Sequence, residues 1–312
     1  MPSYQKATQP TMYFIGVTTE KSSIMKIFPK WAEELGLENV IIKGIDLPIH
    51  ASVEEYRDVV SLIKNDPLTK GALVTTHKID LYNACRDLFD FIDPYAEALC
   101  EVSSLSQKDG KFCAHAKDPI SSGLALEHFV PADFWKKHGG EIVLLGAGGS
   151  SLAMTLYFAD ETHKDNVPKK VTICNRSVPR LESAEKHLKR ITHRFPIEYV
   201  HNPNPKDNDS IIAKLPPHSL IVNATGLGKD APGSPTTDNV NYPDNSLVWE
   251  INYRGELVFM YQANAQKEMK NLHVEDGWIY FIHGWTQVIS EVFQIPIENE
   301  TLDRLSEIAR KV

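Results

Sequence analysis

A glycine-rich turn near the middle of the chain has the residue types and spacing needed to bind a phosphate. An apolar run, EIVLL at 141–145, leads into this turn, and the apolar stretch 152–159 follows it. Gly146 permits a tight turn, Gly148 lets a pyrophosphate approach the backbone, and the small Ser151 occupies the third glycine position of the dinucleotide-binding pattern. The predicted site comprises Gly146, Ala147, Gly148, Gly149 and Ser150. The alternative is a structural glycine turn in an α/β domain that binds no nucleotide.

The end of the next predicted strand, at 170–176, indicates which dinucleotide would bind. NAD enzymes commonly place a carboxylate here, where it binds the ribose 2′-hydroxyl. This chain instead has Asn175-Arg176-Ser177, followed by Arg180. A guanidinium attracts a 2′-phosphate, which a carboxylate would repel. The sequence therefore predicts NADP rather than NAD as the cofactor. The alternative interpretation of Arg176 is a solvated surface charge.

Strands and helices that alternate along the chain must position these residues. Strands are predicted at 11–18, 39–47, 71–76, 141–145, 170–176, 219–228 and 246–253. Helices are predicted at 22–35, 52–65, 77–89 and 152–159, and from Gly277 onward, with Pro29 expected to kink or delay the first. Such alternation is typical of crossover connections between parallel strands, so the predicted fold class is α/β with mainly parallel sheets.

Composition narrows the possible functions. The chain has 312 residues and a formal net charge of −8, which predicts two domains and argues against sequence-independent nucleic-acid binding. No apolar run approaches the roughly 20 residues that span a bilayer, and the first residues lack a signal-peptide pattern, so we expect a cytoplasmic protein without a membrane partner. Four scattered cysteines form no Cys-x-x-Cys pair, and no metal-ligand spacing occurs: Cys85, Cys100, Cys113 and Cys174.

The order of several short motifs resembles the shikimate dehydrogenase family over nearly the whole chain. These motifs are GVTTEKSS at 16–23, ALVTTHK at 72–78, EVSSL at 101–105 and AKDPISSG at 116–123, followed by LLGAGGSS, CNRS, VNATGLG and INYRG. The resemblance implies a substrate-binding domain formed by residues 1–120 and 277–312. It also implies a Rossmann-type NADP-binding domain formed by residues 121–276. The implied reaction is reversible hydride transfer between NADP(H) and a ring alcohol or ketone.

Two residues of these motifs match the family's proton-transfer pair, Lys78 and Asp118. Reducing a ketone requires a hydride on carbon and a proton on oxygen. A lysine ammonium stabilises the developing negative charge and delivers the proton, while a carboxylate orients the lysine. The alternative interpretation of the pair is an ordinary structural salt bridge.

Other positions follow from the resemblance alone. Substrate-binding side chains are expected at Ser22, Ser23, Thr75, Ser103, Tyr253 and Gln287. Further cofactor contacts are expected at Asn223, Thr225 and Gly226. Ser22, Thr75 and Tyr253 have an alternative interpretation as caps, turn hydroxyls or packing residues.

The chain departs from the family pattern mainly in the predicted substrate pocket. Ile24 occupies the second serine position, Ser103 the asparagine position and Gly284 the glutamine position, where His283 or Gln287 would substitute. The family proline before Lys78 is absent.

We therefore expect an NADP-dependent oxidoreductase that interconverts 3-dehydroshikimate and shikimate, or a related ring. Two alternatives remain open: another cyclic substrate such as quinate or an aminoshikimate-like compound, and a weakly catalytic NADP-binding regulatory protein. The expected partner is this small molecule, and the expected assembly is a monomer or a homodimer.

Overall fold

The computed structural model describes residues 4–229 and 231–312, which form two compact units. The first unit contains the described residues up to Lys117 together with Gly284–Val312, and the second contains the described residues from Asp118 to His283. The sequence placed the corresponding boundaries after residues 120 and 276. The roles predicted for the two domains stay predictions.

The strands in the described residues are β1 (Thr11–Gly16), β2 (Ile41–Asp46), β3 (Thr69–Val74), β4 (Phe91–Ile92), β5 (Ser104–Lys108), β6 (Lys111–His115), β7 (Ile142–Leu145), β8 (Val171–Asn175), β9 (Ile197–His201), β10 (Leu220–Asn223), β11 (Leu247–Glu250) and β12 (His273–Glu275). The helices are α1 (Ile24–Glu34), α2 (Val53–Asn65), α3 (Lys78–Cys85), α4 (Pro94–Leu99), α5 (Asp118–Phe129), α6 (Phe134–His138), α7 (Gly149–Ala159), α8 (Val178–Leu188), α9 (Pro205–Ile212), α10 (Val258–Asn264), α11 (Lys267–Lys270), α12 (Trp278–Phe293) and α13 (Asn299–Arg310). Short 3₁₀ turns lie at Thr19–Lys21, Arg86–Leu88 and Glu161–His163.

The sheet of the first unit has the strand order β2-β1-β3-β5-β6-β4. β1 pairs in parallel with β2 and β3, whereas β5 is antiparallel to both β3 and β6. The hairpin between β5 and β6 turns at Asp109 and Gly110, whose φ angles are 51° and 73°. An Asp-Gly pair in this conformation matches the right-handed twist of the flanking strands. The sheet is therefore mixed, and the sequence analysis missed this hairpin.

Helix α1 connects the two chain segments that form the first unit. Its buried face includes Ile27, Phe28 and Trp31 at helical spacing. The indole nitrogen of Trp31 donates a hydrogen bond to the backbone oxygen of Leu305, 2.8 Å away on α13. α1 starts two residues later than the predicted 22 and continues through Pro29 to Glu34. The C-terminal helix is thereby fastened to an N-terminal one.

The sheet of the second unit is fully parallel, with the strand order β12-β11-β10-β7-β8-β9. The chain runs outward from β7 through β8 to β9, then returns to β10 and runs outward on the other side. Every residue of β7, β10 and β11 is buried, as expected where helices cover both faces of a parallel sheet. The α/β fold class is confirmed, and the topological switch point lies between β7 and β10.

The described residues were compared with the requirements of a membrane span, a metal site and a reactive thiol in turn. No helix among them is both long and apolar enough to cross a membrane. Across this same part of the chain, no group of His, Cys, Asp or Glu side chains is arranged to hold a metal ion. The four cysteines are free, and burial raises the pKa of the Cys85 and Cys174 thiols to about 12. Both thiols are therefore protonated and unreactive at neutral pH.

Close packing of α5 on α7 gives a test of the second unit. A methyl group on the buried Gly123 would lie 2.3 Å from the ring of Tyr157. We expect Gly123→Ala to lower the free energy of unfolding by about 1–3 kcal/mol, because the ring must move in a packed interior. The measurement is thermal unfolding.

The matched control for this substitution is Gly284→Ala in α12, where a methyl group meets nothing within 4 Å. Replacing glycine inside a helix there is expected to raise stability by about 0.5–1 kcal/mol. Equal effects of the two substitutions would contradict the packing argument.

Candidate active site

A cavity of about 400 Å³ lies in the second unit at the carboxyl ends of its central strands. It lies at the switch point between β7 and β10, where open parallel sheets bind their ligands. Its volume is within the range of ordinary small-molecule sites. Nine of the predicted cofactor residues line it: Gly146, Ala147, Gly148, Asn175, Arg176, Ser177, Arg180, Thr225 and Gly226.

Three predicted cofactor residues are not in the cavity wall. Gly149 and Ser150 are the first two residues of α7, and Asn223 is fully buried beneath the wall. The sequence analysis also missed one part of the lining, the turn from Asn202 to Pro205 after β9. Its signal was the Asn-Pro-Asn-Pro run at 202–205, since such residues are typical of a turn that follows a strand.

The glycine turn leaves backbone open to a ligand. Gly146 has a φ angle of +121°, and a methyl group on it would lie 2.5 Å from the carbonyl oxygen of Ala224. The hydroxyl of Ser151 donates a 2.7 Å hydrogen bond to the carbonyl oxygen of Gly146, which fixes the turn from below. Gly148 precedes α7, and nothing lies within 4 Å of the place a methyl group would take. Open backbone at a helix N-terminus fits the pyrophosphate of a dinucleotide.

The two arginines of the lining are exposed and available to an anion. Among the described residues, no carboxylate lies within ion-pair distance of the guanidinium of Arg176 or Arg180. The Oδ1 atom of Asn175 accepts a 2.9 Å hydrogen bond from the Ser177 amide, which holds the turn that carries Arg176. This end of the cavity therefore offers an anion positive charge that no described carboxylate neutralises.

The predicted substrate residues of the first unit lie at one edge of its sheet. Ser22 and Ser23 follow the 3₁₀ turn after β1, Thr75 follows β3, and Lys78 begins α3. A methyl group on Gly16, at the end of β1, would lie 3.1 Å from the side chains of both Thr19 and Thr75. Carboxyl ends of parallel strands meet at the same edge, so these side chains share one neighbourhood within the unit.

Two hydrogen bonds link the start of α3 with the segment that ends at Lys117. The carbonyl oxygen of Lys78 accepts from the Val102 amide at 3.1 Å. The next residue, Ser103, accepts through its hydroxyl from the Lys117 amide at 2.7 Å. Asp118 follows directly and begins α5. Ser103 is buried and its hydroxyl is hydrogen-bonded to backbone, so its side chain helps to position the neighbouring residues.

The residue before Lys78 is a buried histidine that the sequence analysis did not assign. The Nδ1 atom of His77 lies 2.9 Å from the hydroxyl of Tyr56, and its Nε2 atom is buried without a partner in the described part of the chain. Burial, with a contribution from Asp80, raises the pKa of Tyr56 to about 12. His77 anchors the start of α3 where the family proline is absent. No sequence signal marks its burial.

The remaining predicted positions have distinct environments. Neither the hydroxyl of Ser22 nor that of Ser23 is hydrogen-bonded within the described residues, whereas Ile24 is fully buried in the core. Tyr253 stacks on Phe281 in the second unit, with ring centroids 4.2 Å apart.

Helix α12 carries the two candidates for the absent family glutamine. Gln287 is half-buried and belongs to the first unit. His283 is buried in the second unit, and its burial lowers the imidazole pKa to about 4, so its ring is neutral at physiological pH.

No family model matches the chain. The chain is 25% identical over 178 residues to the shikimate dehydrogenase (NADP(+)) of Lactococcus lactis subsp. cremoris (strain MG1363). These residues make up 57% of this chain and 59% of that protein. The chain resembles the shikimate dehydrogenase family. The resemblance expected from its motifs is thus confirmed, although the matched region spans less than two thirds of the length of the curated relatives.

Solved structures of this shikimate dehydrogenase-like fold match nearly the whole chain. The quinate dehydrogenase from Corynebacterium glutamicum in complex with NAD has a TM-score of 0.74 at 18% identity, over 97% of this chain and 99% of that one. The shikimate 5-dehydrogenase from Listeria monocytogenes in complex with shikimate and NAD has a TM-score of 0.73 at 17% identity, over 96% of both chains. At these identities the likeness establishes the fold.

Gly146 and Gly148 give a structural test of the cavity. We expect Gly146→Ala to lower the free energy of unfolding by about 2 kcal/mol, because the positive φ disfavours a side chain and the methyl group meets the Ala224 carbonyl. The measurement is thermal unfolding without nucleotide.

The control for this test is Gly148→Ala, two residues away in the same turn. The φ angle of Gly148 is −98°, which any residue adopts, and stability should stay within about 0.5 kcal/mol. The same loss in both variants would argue against the close approach of Gly146 to Ala224.

Proposed function

We propose that the protein is an NADP-dependent dehydrogenase that interconverts the alcohol and ketone of a shikimate-like ring. The observation that carries the proposal is the cavity at the switch point, with open glycine backbone and two exposed guanidiniums on its wall. The lysine and hydroxyl side chains at the sheet edge of the first unit supply groups suited to a hydroxylated, acidic substrate. The similarity to shikimate and quinate dehydrogenases supports the same reaction class.

The cofactor site follows from the cavity lining. The glycine turn would hold the pyrophosphate, and Arg176 with Arg180 would hold the 2′-phosphate. When bound, NADPH supplies the hydride. Thr225 and Gly226, on the loop after β10, would close the wall beside it.

Lys78 and Asp118 would carry the proton chemistry. The Lys78 ammonium would donate a hydrogen bond to the ketone oxygen, stabilise its growing negative charge and transfer a proton to it. The Asp118 carboxylate would orient the ammonium and accept a hydrogen bond from a neighbouring substrate hydroxyl.

The substrate carboxylate would bind at Ser22 and Ser23, whose hydroxyls are uncommitted within the described residues. Ser103 is engaged with backbone, and Gly284 has no side chain to offer. Fewer polar groups therefore face the ring hydroxyls than the family pattern supplies, which favours a differently substituted ring as the alternative substrate.

A panel of substrates separates these hypotheses about the substrate and the function. Shikimate, quinate and other cyclic hydroxy acids are offered with NADP and with NAD, and reduction is followed at the nicotinamide absorbance band. Turnover of shikimate with NADP supports shikimate as the substrate, and turnover of another ring supports the differently substituted substrate. Tight NADPH binding without turnover of any compound would favour a regulatory protein.

The role of Lys78 predicts the behaviour of Lys78→Met. Turnover should fall by about 10²–10⁴-fold, because the proton donor is lost while the chain length is kept. The NADPH dissociation constant should change less than about twofold, since the ammonium is not part of the nucleotide cavity. The matched control is Lys43→Met on β2, an exposed lysine of the same unit that should leave turnover unchanged. Retained activity in Lys78→Met would remove the mechanism.

The role of Arg176 predicts a change in cofactor preference. Arg176→Gln should weaken NADPH binding about ten- to a hundredfold, the loss expected for a hydrogen bond between charged groups, and should leave NADH binding nearly unchanged. Titration of intrinsic fluorescence with each nucleotide measures both. Lys186→Gln, an exposed lysine of α8 outside the cavity, is the control. A wild-type preference for NADH would defeat the assignment of NADP.

A further inference from the structure

The carboxylate of Glu250 is buried at the end of β11, where it accepts hydrogen bonds from two asparagine side chains. Only 1% of the residue is exposed. Its Oε2 atom accepts from Nδ2 of Asn223 at 2.7 Å. Its Oε1 atom accepts from the backbone amide and from Nδ2 of Asn252, at 2.9 and 2.7 Å. Glu250 therefore fixes the orientation of both carboxamides.

The two carboxamides in turn hold the loop after β10. The Oδ1 atom of Asn223 accepts from the amide and the hydroxyl of Thr225, at 3.0 and 2.6 Å. Nδ2 of Asn252 donates to the carbonyl oxygens of Thr225 and Leu227, both at 3.2 Å. Thr225, Gly226 and Leu227 line the cavity, whereas none of the three residues beneath them does. One buried carboxylate thus accepts hydrogen bonds from both of the carboxamides that contact this side of the wall.

We propose that Glu250 is a positioning residue for the nucleotide: acting through Asn223 and Asn252, its ionised carboxylate holds the Thr225–Leu227 loop in the conformation that binds the cofactor. The inference rests on the proposed cofactor site. It also gives Asn223 a role beneath the wall in place of direct contact with the cofactor. A neutral carboxyl or carboxamide would not do the same. All the groups that point at Glu250 are hydrogen-bond donors, and only the ionised carboxylate offers acceptors alone.

Protonation of Glu250 supplies a readout that a purely structural role would not give. Burial raises the pKa of this carboxyl to about 7, although the hydrogen bonds from Asn252 and Asn223 and the charge of Lys229 oppose the rise. The buried Tyr242, also near Glu250, has a raised pKa and stays neutral. A protonated carboxyl turns one acceptor into a donor that faces other donors. As the pH falls through about 7, one asparagine carboxamide then loses its hydrogen bond to Glu250. The loop that this carboxamide contacts is held less firmly, and the affinity for the nucleotide falls.

The experiment compares the NADPH dissociation constant of wild type and Glu250→Gln between pH 6.0 and 8.5. At pH 8.5 the variant should bind about fivefold more weakly, the effect of losing one or two buried hydrogen bonds. At pH 6.0 the two proteins should bind alike. Titration of the NADPH phosphate affects both proteins, so it cancels in their ratio. Glu198→Gln, an exposed glutamate paired with Lys170 on the same sheet, is the control and should follow wild type.

A second measurement needs no nucleotide. Backbone amide exchange of residues 224–228, followed by mass spectrometry at pH 8, should be faster in Glu250→Gln than in wild type. If Glu250→Gln does not fold, Glu250→Asp replaces it; its charge is kept but its reach is shorter, so exchange should still be faster and binding weaker.

The outcomes separate this inference from the proposed function. A ratio of dissociation constants that stays at one, or does not change with pH, overturns the role of Glu250 while leaving the NADP site intact. Wild type that fails to bind NADPH overturns the proposed function, and the exchange measurement then decides the positioning role alone. Unchanged exchange in both Glu250 variants overturns it.

Discussion

The parallel pairing of β7 with β10 is the constraint on which the candidate cofactor site depends. Successive strands run outward from this pair in opposite directions, so the loops after the two strands diverge and leave a crevice. Closure at the base of the crevice requires Gly146 to approach the Ala224 carbonyl more closely than any side chain allows. The glycine turn, the arginines after β8 and the loop after β10 all obtain their positions from this arrangement.

Sequence patterns anticipated the features that are local. The strand, glycine turn and helix around Gly146 lie within one short stretch, as do β8 and the arginine that follows it. The β5–β6 hairpin was not predicted although Asp109-Gly110 is a strong turn signal, because the alternation of strands and helices along the chain favoured parallel strands. The strand β9 was not assigned either, since it is short and only partly buried, which leaves little hydrophobic pattern to detect.

The direction in which a polar side chain points could not be predicted. Ser103 and Asn223 match polar family positions, yet both are engaged with backbone or with another side chain below the surface. Buried backbone groups need partners, and which of them lack one depends on contacts between distant segments. The same applies to His77, whose partner Tyr56 comes from α2. Residue type identifies a group that can bind, and the tertiary fold decides what it binds.

The hydrogen bond from Trp31 to Leu305 has a consequence for biosynthesis. It ties the last helix of the chain to the first, while the second unit is formed from a single uninterrupted stretch between them. Domains generally fold as units while the ribosome extends the chain. The inserted unit can therefore complete its sheet during translation, whereas the unit that carries Lys78 must wait until α13 has been synthesised before its outer helical layer closes.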